Sequence, residues 1–284
     1  MKASKRVGLG VSGVLSRGPS RAAVVVALVT CFAPAALAQF AGPPPEPPRP
    51  ARLAAPVDLT GTWVSVVTED WEWRMVTPKK GDVESVPLNP EGRRVADQWE
   101  PSKDGLCEAY GVGGIMRMPG RLRISWQDDS TLKIETDAGQ QTRLLRFANP
   151  ATQGQTRPPT RAVAPAQRSL QGDSVAEWIG GGAGNIDPFT GRGDGPGAQR
   201  WGALKVRTTN MRPAWLRRNG VPYSEQTVVT EYFTRFTHPQ AGDWFVVTTT
   251  VDDPTYLTGP FTTSSNFKKE ADGSKFKPAP CRTR

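Results

Sequence analysis

Residues 121–147 read RLRISWQDDSTLKIETDAGQQTRLLRF, and this stretch decides the fold class. Leu122, Ile124 and Trp126 alternate with Arg121, Arg123 and Ser125. After Gln127–Ser130, Leu132, Ile134 and Thr136 alternate with Lys133, Glu135 and Asp137. Successive side chains of a strand point to opposite faces, so a period of two makes one apolar face and one wet face. Ala138-Gly139 supplies a second turn and Gln141–Phe147 a third strand. The stretch is an antiparallel meander.

Outward from it, the β-branched run Val64–Thr68 and the stretches Ser174–Trp178, Ala203–Asn210, Gln226–Phe236, Asp243–Asp252 and Thr262–Lys268 read as further strands. Two short helices are expected. Asn89-Pro90-Glu91 sets a capping side chain before a Pro at the first helical position and opens a helix to about Glu100. Pro213–Asn219, with Gly220 behind it, reads as one or two capped helical turns. Residues 148–171 and 180–200 fit neither element, and their Gly and Pro content makes disorder or loose packing the expectation ahead of a functional cover. Some nine strands with closely spaced turns make the chain all-β, an up-and-down barrel or a β-sandwich.

The N-terminus bears on location. Lys2, Lys5, Arg6, Arg17 and Arg21 lead into the 17-residue apolar stretch Ala22–Ala38, which closes on Ala36-Leu37-Ala38 before Gln39. That is the pattern of a signal peptide over residues 1–38, and it implies a periplasmic or secreted bacterial protein. The apolar run is interrupted by Pro34 and falls short of the roughly 20 residues a spanning helix needs, so no transmembrane span is expected after processing. Cys31 is no lipoprotein signal, since Thr30 stands where a small residue is required. Residues 39–56, including AGPPPEPPRPARLAAP, read as a Pro-rich tether, and residues 57–284 as a single β domain.

Without the leader the net charge falls from +9 to +4, with 31 basic residues against 27 acidic. Its short basic clusters are interleaved with acids, which argues against a nucleic-acid partner. Cys107 and Cys281 survive processing, and in an oxidising compartment a lone pair is expected to form a disulfide; two separate buried thiols are the alternative. Two cysteines and one histidine make no metal motif, and no cofactor is implied.

Candidate site residues follow from faces. Glu231 shares its face with Val229 and Phe233, and Arg143 shares its face with Leu145 and Phe147. If those faces point inward, each charge needs a partner, and pairing the two satisfies both. A ligand would set its polar end on this pair, its apolar body on Trp126 or Phe233, with Tyr223 as a further polar contact. Trp71 and Trp73, two apart in Glu69–Arg74, share one side if extended, and closing a barrel end is favoured over flooring a sugar or lipid site. His238, the only histidine, would have to carry any Ser-His-Asp arrangement by itself. Gly181–Gly184 and Arg192-Gly193-Asp194 read as compositional chance in a Gly-rich segment.

Val86-Pro-Leu-Asn-Pro-Glu-Gly-Arg93, Gln171-Gly-Asp-Ser-Val-Ala-Glu-Trp178 and Leu204-Lys-Val-Arg-Thr-Thr-Asn210 carry a resemblance, continued by Leu216-Arg-Arg-Asn-Gly-Val-Pro-Tyr-Ser-Glu225, Val229-Thr-Glu-Tyr-Phe233 and Val251-Asp-Asp-Pro254. Over Val57 to Lys269 the chain resembles a widespread group of secreted bacterial proteins with a lipocalin-like β-barrel domain. The resemblance implies a lipocalin-like barrel and no established activity; with the strand pattern it makes an antiparallel barrel of eight to ten strands the expected fold, a sandwich the alternative. The chain departs from the group at the Gly-rich segment 180–200, where a tight acidic turn is usual, and at Tyr223, where a His is common. Three readings are carried forward. The first is a module binding a small apolar or amphipathic ligand in the barrel. The others are an isomerase or hydrolase using carboxylate and Arg, and an envelope module that binds protein. A lumen filled with Trp, Phe and Leu would favour the last; an open cavity with Glu231, Arg143 and Tyr223 converging would favour the enzyme. Oligomeric state has no sequence signal here.

Overall fold

Each stretch of period-two alternation becomes a strand in the computed structural model, which describes residues 49–103, 107–148, 167–180 and 202–281. The strands are β1 (Gly61–Val66), β2 (Arg121–Asp128), β3 (Thr131–Thr136), β4 (Thr142–Phe147), β5 (Asp173–Gly180), β6 (Gly202–Thr209), β7 (Val228–His238), β8 (Gly242–Asp252) and β9 (Phe261–Lys269). Each pairs with its neighbours in chain order, and β9 pairs back to β1, Trp63 opposite Lys269, so the sheet closes into a nine-stranded barrel. Closure leaves no free edge and rules out the sandwich.

Nine strands cannot alternate in direction all the way round a ring, because alternation returns to its start only for an even number. At least one junction must be parallel. It is β4–β5, with Leu145 opposite Ser174 and Phe147 opposite Ala176; the other eight are antiparallel. The expected antiparallel barrel is present, with this one parallel junction in it. A parallel junction needs a connection of a dozen residues or more, and residues 148–172 supply it. Phe147 lies at one end of the barrel, whereas Ser169, bridged to Met211, lies at the other. Gly180 by contrast pairs directly with Gly202, so residues 181–201 join antiparallel neighbours at a single end.

At that end Trp126, Phe147 and Trp178 form a ring cluster with centroids 5.1–6.4 Å apart. Helix α1 (Ala51–Ala54) lies beside it: Trp178 Nε1 donates to the Ala51 carbonyl at 2.8 Å, and the Arg52 amide to the Asp129 carbonyl at 3.0 Å. The C-terminal part of the expected tether is therefore docked, and order begins before Val57. Trp178 supplies the reason, because its half-buried indole N–H needs an acceptor.

The opposite end is plugged. Helix α2 spans Trp71–Met75, α3 Pro90–Gln98 and α4 Val112–Ile115. Helix α3 starts as expected, with Asn89 Oδ1 accepting the Gly92 amide at 2.8 Å and Pro90 at the first position. Val83, Val86, Ala96, Val112, Leu216 and Leu257 pack there on Val229, Val251 and Phe261 at the lower end of the lumen. The expected helix at 213–219 is instead a β-hairpin, Ala214–Arg217 against Val221–Tyr223, turning through Asn219 and Gly220. Its Ser224 is held by Asp253, which accepts the Ser224 amide (2.5 Å), the Ser224 and Thr227 hydroxyls and the Thr255 amide. Cys107 and Cys281 are disulfide-bonded across 174 residues, and the tail beside them pairs Ala279-Pro280 with Ala138-Gly139. Among the described residues no helix is long and apolar enough to cross a membrane.

Candidate functional site

Arg143 sits on β4 and Glu231 on β7, with β5 and β6 between them in the wall, so the two meet across the lumen rather than along the sheet. Arg143 Nη1 donates to Glu231 Oε1 at 3.0 Å and Nη2 to Oε2 at 2.5 Å, and both side chains are fully buried. On the face of Glu231, Phe233 on one side belongs to the barrel's apolar cluster and Val229 on the other to the plug's. The pair thus marks the seam between two cores, in a band that also holds the buried Thr208, Thr249 and Ser174, with Ser174 Oγ 2.8 Å from Thr208 Oγ1. Both Glu231 oxygens are engaged by the guanidinium, an arrangement that staples and leaves no free base.

The other candidates fall in different places. Tyr223 lies in the hairpin of the plug, fully buried against Gly111, where an added Cβ would fall 2.1 Å from the hydroxyl. Burial raises its phenol above the ordinary range, against the pull of Arg212 and Arg143, so it stays neutral. Phe233 packs 6.1 Å from Phe245, which stacks on Phe267 at 4.8 Å and meets Trp63 edge-on at 4.7 Å. With Ile124, Leu132, Ile134, Leu145, Leu204, Val206 and Val247 these rings fill the lumen. Trp126 stands at the far end with Phe147 and Trp178 and does not meet the pair. The side chains of this lumen stand where a ligand would have gone.

Trp71 and Trp73 form no barrel floor. They lie on α2, with Trp71 64% exposed and Trp73 Nε1 hydrogen-bonded to Asp82. The alternation that would have put them on one side holds only in extended chain. His238 is exposed at the last position of β7, its Nδ1 accepting the Gln240 and Ala241 amides of the turn that follows. The glycine run and the Arg-Gly-Asp tripeptide lie outside the described residues.

A cleft of about 430 Å³ opens on the outside of the plug, beside the disulfide. That size is within the usual range for small-molecule sites. Two rings help wall it. Trp99 packs on Gly220 (φ +81°), where a Cβ would lie 2.1 Å from the indole, and Tyr110 packs on Gly139 (φ +78°), where it would lie 2.3 Å from the ring. Ala138, Ala279 and Pro280 add apolar surface, while Arg218, Lys277, Glu108 and Asp137 bring charge to the same space. Asp137 is held by the Arg121 and Ala138 amides on one oxygen. The strand pairing of the tail and the Cys107–Cys281 bond fix the wall that Lys277–Pro280 forms.

No protein-family model matches the chain, and no curated protein or solved structure does either.

The cleft residues Trp99, Tyr110, Arg218 and Lys277 carry no periodic signal, since they come from turns and short helices. One signal was present. Asn219-Gly220 between Leu216 and Val221 is a hairpin-turn signal, realised as the three-residue loop Arg218–Gly220 with Gly220 at positive φ, and it outranks the helix C-cap reading of Gly220.

Proposed function

We propose that the chain is an exported binding module, kin to the secreted lipocalin-like group it resembles, which holds a small amphipathic ligand in the outer cleft rather than in the barrel. The observation that carries this reading is the cleft itself: ring and proline surface on one side, Arg218 and Lys277 within the same 430 Å³, and walls locked by a disulfide. A ligand with an apolar body and one anionic or polar end meets both kinds of surface. Export is supported by the leader pattern of residues 1–38 and by the paired cysteines.

Native mass spectrometry of protein purified from its own periplasm tests it. A co-purified small molecule that is lost in Ala109→Trp, which fills the cleft, is the expected result. A wild-type protein that carries no small molecule counts against the reading, and a mass retained in Ala109→Trp places the site elsewhere. The filled lumen, with the exposed Trp71, Met75 and Val76 on and beside α2, supports a second reading as a protein-interaction module. In the same spectra that reading requires a bound polypeptide.

A further inference from the structure

Three arginines are buried at the plug: Arg74, Arg117 and Arg217, exposed by 3%, 6% and 4%. They come from separate segments, α2, the turn after α4, and the first strand of the hairpin. Arg74 Nε donates to the Arg117 carbonyl at 2.9 Å, its Nη2 donates to Ser65 Oγ, and its Nη1 pairs with Glu69. Arg117 Nη1 pairs with Asp70 at 3.0 Å, while its guanidinium lies 5.9 Å from the centre of the Phe261 ring. Two of the three charges are thus answered by carboxylates.

Arg217 differs. Its guanidinium stacks 4.8 Å over Trp73 and its Nη2 donates to the Ser85 hydroxyl at 2.8 Å, but among the described residues it forms no ion pair. Three buried donors in the cluster have no acceptor among the described residues: Arg117 Nη2, Arg217 Nε and Arg217 Nη1. The nearby carboxylates do not serve them. Both Asp82 oxygens face Trp73 Nε1 at 3.2 Å, and Glu84 is exposed. Burial first, and then the charge of Arg117 beside it, hold Arg217 down to about 10, against the pull of Asp70, Asp82 and Glu84. A buried cation with no ion-pair partner and unanswered donors is among the costliest features a fold can carry. Ser85, which accepts from Nη2 of the same guanidinium, is itself exposed.

We propose that Arg117 and Arg217 form a site for a small oxyanion, a carboxylate or a phosphate, whose oxygens take Arg117 Nη2 and the Nε and Nη1 of Arg217. Planar guanidinium donors match the oxygens of either group. The Glu69–Arg74 segment builds the floor, since it supplies the stacking Trp73, the Asp70 that holds Arg117 and the Arg74 that buttresses its carbonyl. This site stands apart from the cleft and does not rest on it.

The test is the melting temperature of the disulfide-intact protein at neutral pH and fixed ionic strength, with sodium acetate, sulfate or phosphate replacing chloride. The expected result is a saturable rise, as for any ligand that binds only the folded state, absent in Arg217→Met and kept in Arg207→Met on the outer wall. A rise with acetate alone assigns a carboxylate ligand; a rise with sulfate and phosphate assigns a tetrahedral one. Because Arg217→Met could fail to fold, the Arg217 Nε–H resonance of the wild-type protein is followed through the same titrations. An equal melting temperature in every salt with that resonance unmoved overturns the site, as does a rise that survives in Arg217→Met.

Discussion

The barrel wall and the plug were built by different rules. In the wall, residues two apart share a face, so Val229, Glu231 and Phe233 point inward because of local geometry alone. In the plug, Trp99, Tyr110, Arg117, Arg217 and Tyr223 come together from turns, short helices and a hairpin, and nothing local tells which will meet. The wall's interior is ring on ring, with Trp63, Phe233, Phe245 and Phe267 in contact. The plug holds the cleft and the buried arginines 74, 117 and 217. Regular repetition makes a closed wall, and the irregular end gathers the cleft and the buried arginines, because there side chains from distant segments converge without a ladder dictating their neighbours.

The sharpest test of this contrast concerns the two long connections. Replacing residues 149–166 by Asn-Gly should abolish folding, because Phe147 and Ser169 lie at opposite ends of a barrel whose strands rise about 3.3 Å per residue. The same replacement of residues 181–201 should leave the barrel intact, since Gly180 and Gly202 are already paired and the tight turn suits them. Circular dichroism and urea melts of both variants decide it. Two folded variants would mean that the parallel junction is wrong.

Next in size is the seam. Glu231→Gln or Arg143→Met alone should cost roughly 3–5 kcal/mol in urea melts, because each leaves a buried group unanswered, and the double variant should recover much of that loss. Additive losses under about 1 kcal/mol would show that the pair does not couple the two cores.

Cys281→Ser removes the link across 174 residues and should cost about 2–5 kcal/mol. Hydrogen exchange should accelerate first in the tail and around Cys107, ahead of β7 and β8. Simultaneous loss of protection everywhere would erase the distinction between wall and plug.

The smallest effect is expected at Gly220→Ala, roughly 1–3 kcal/mol, from a positive φ and a Cβ pressed into Trp99. Indole fluorescence should report a displaced Trp99, whereas an unchanged melt and spectrum would show the cleft wall to be loose.

How much was legible follows the same division. The nine strands and the facing of Arg143 and Glu231 could be read from alternation, and α3 from Asn89 and Pro90. The hairpin at 214–223 was misread because a glycine after a polar run suits both a helix cap and a turn. Trp71 and Trp73 were misplaced because period two holds only in extended chain, and α2 is helical. The parallel junction was not visible at all. Alternation tells which face a side chain takes and says nothing of the direction in which the next strand runs.

Local patterning sufficed for the all-β class, the strand positions and the inward charges, because the pleat acts between adjacent residues and needs no partner. Closure of β9 onto β1, the direction of β5, the meeting of Arg143 with Glu231 across the lumen and the gathering of three buried arginines were settled in three dimensions. Each depends on contacts between residues far apart in the chain, whose geometry exists only once the ring has closed.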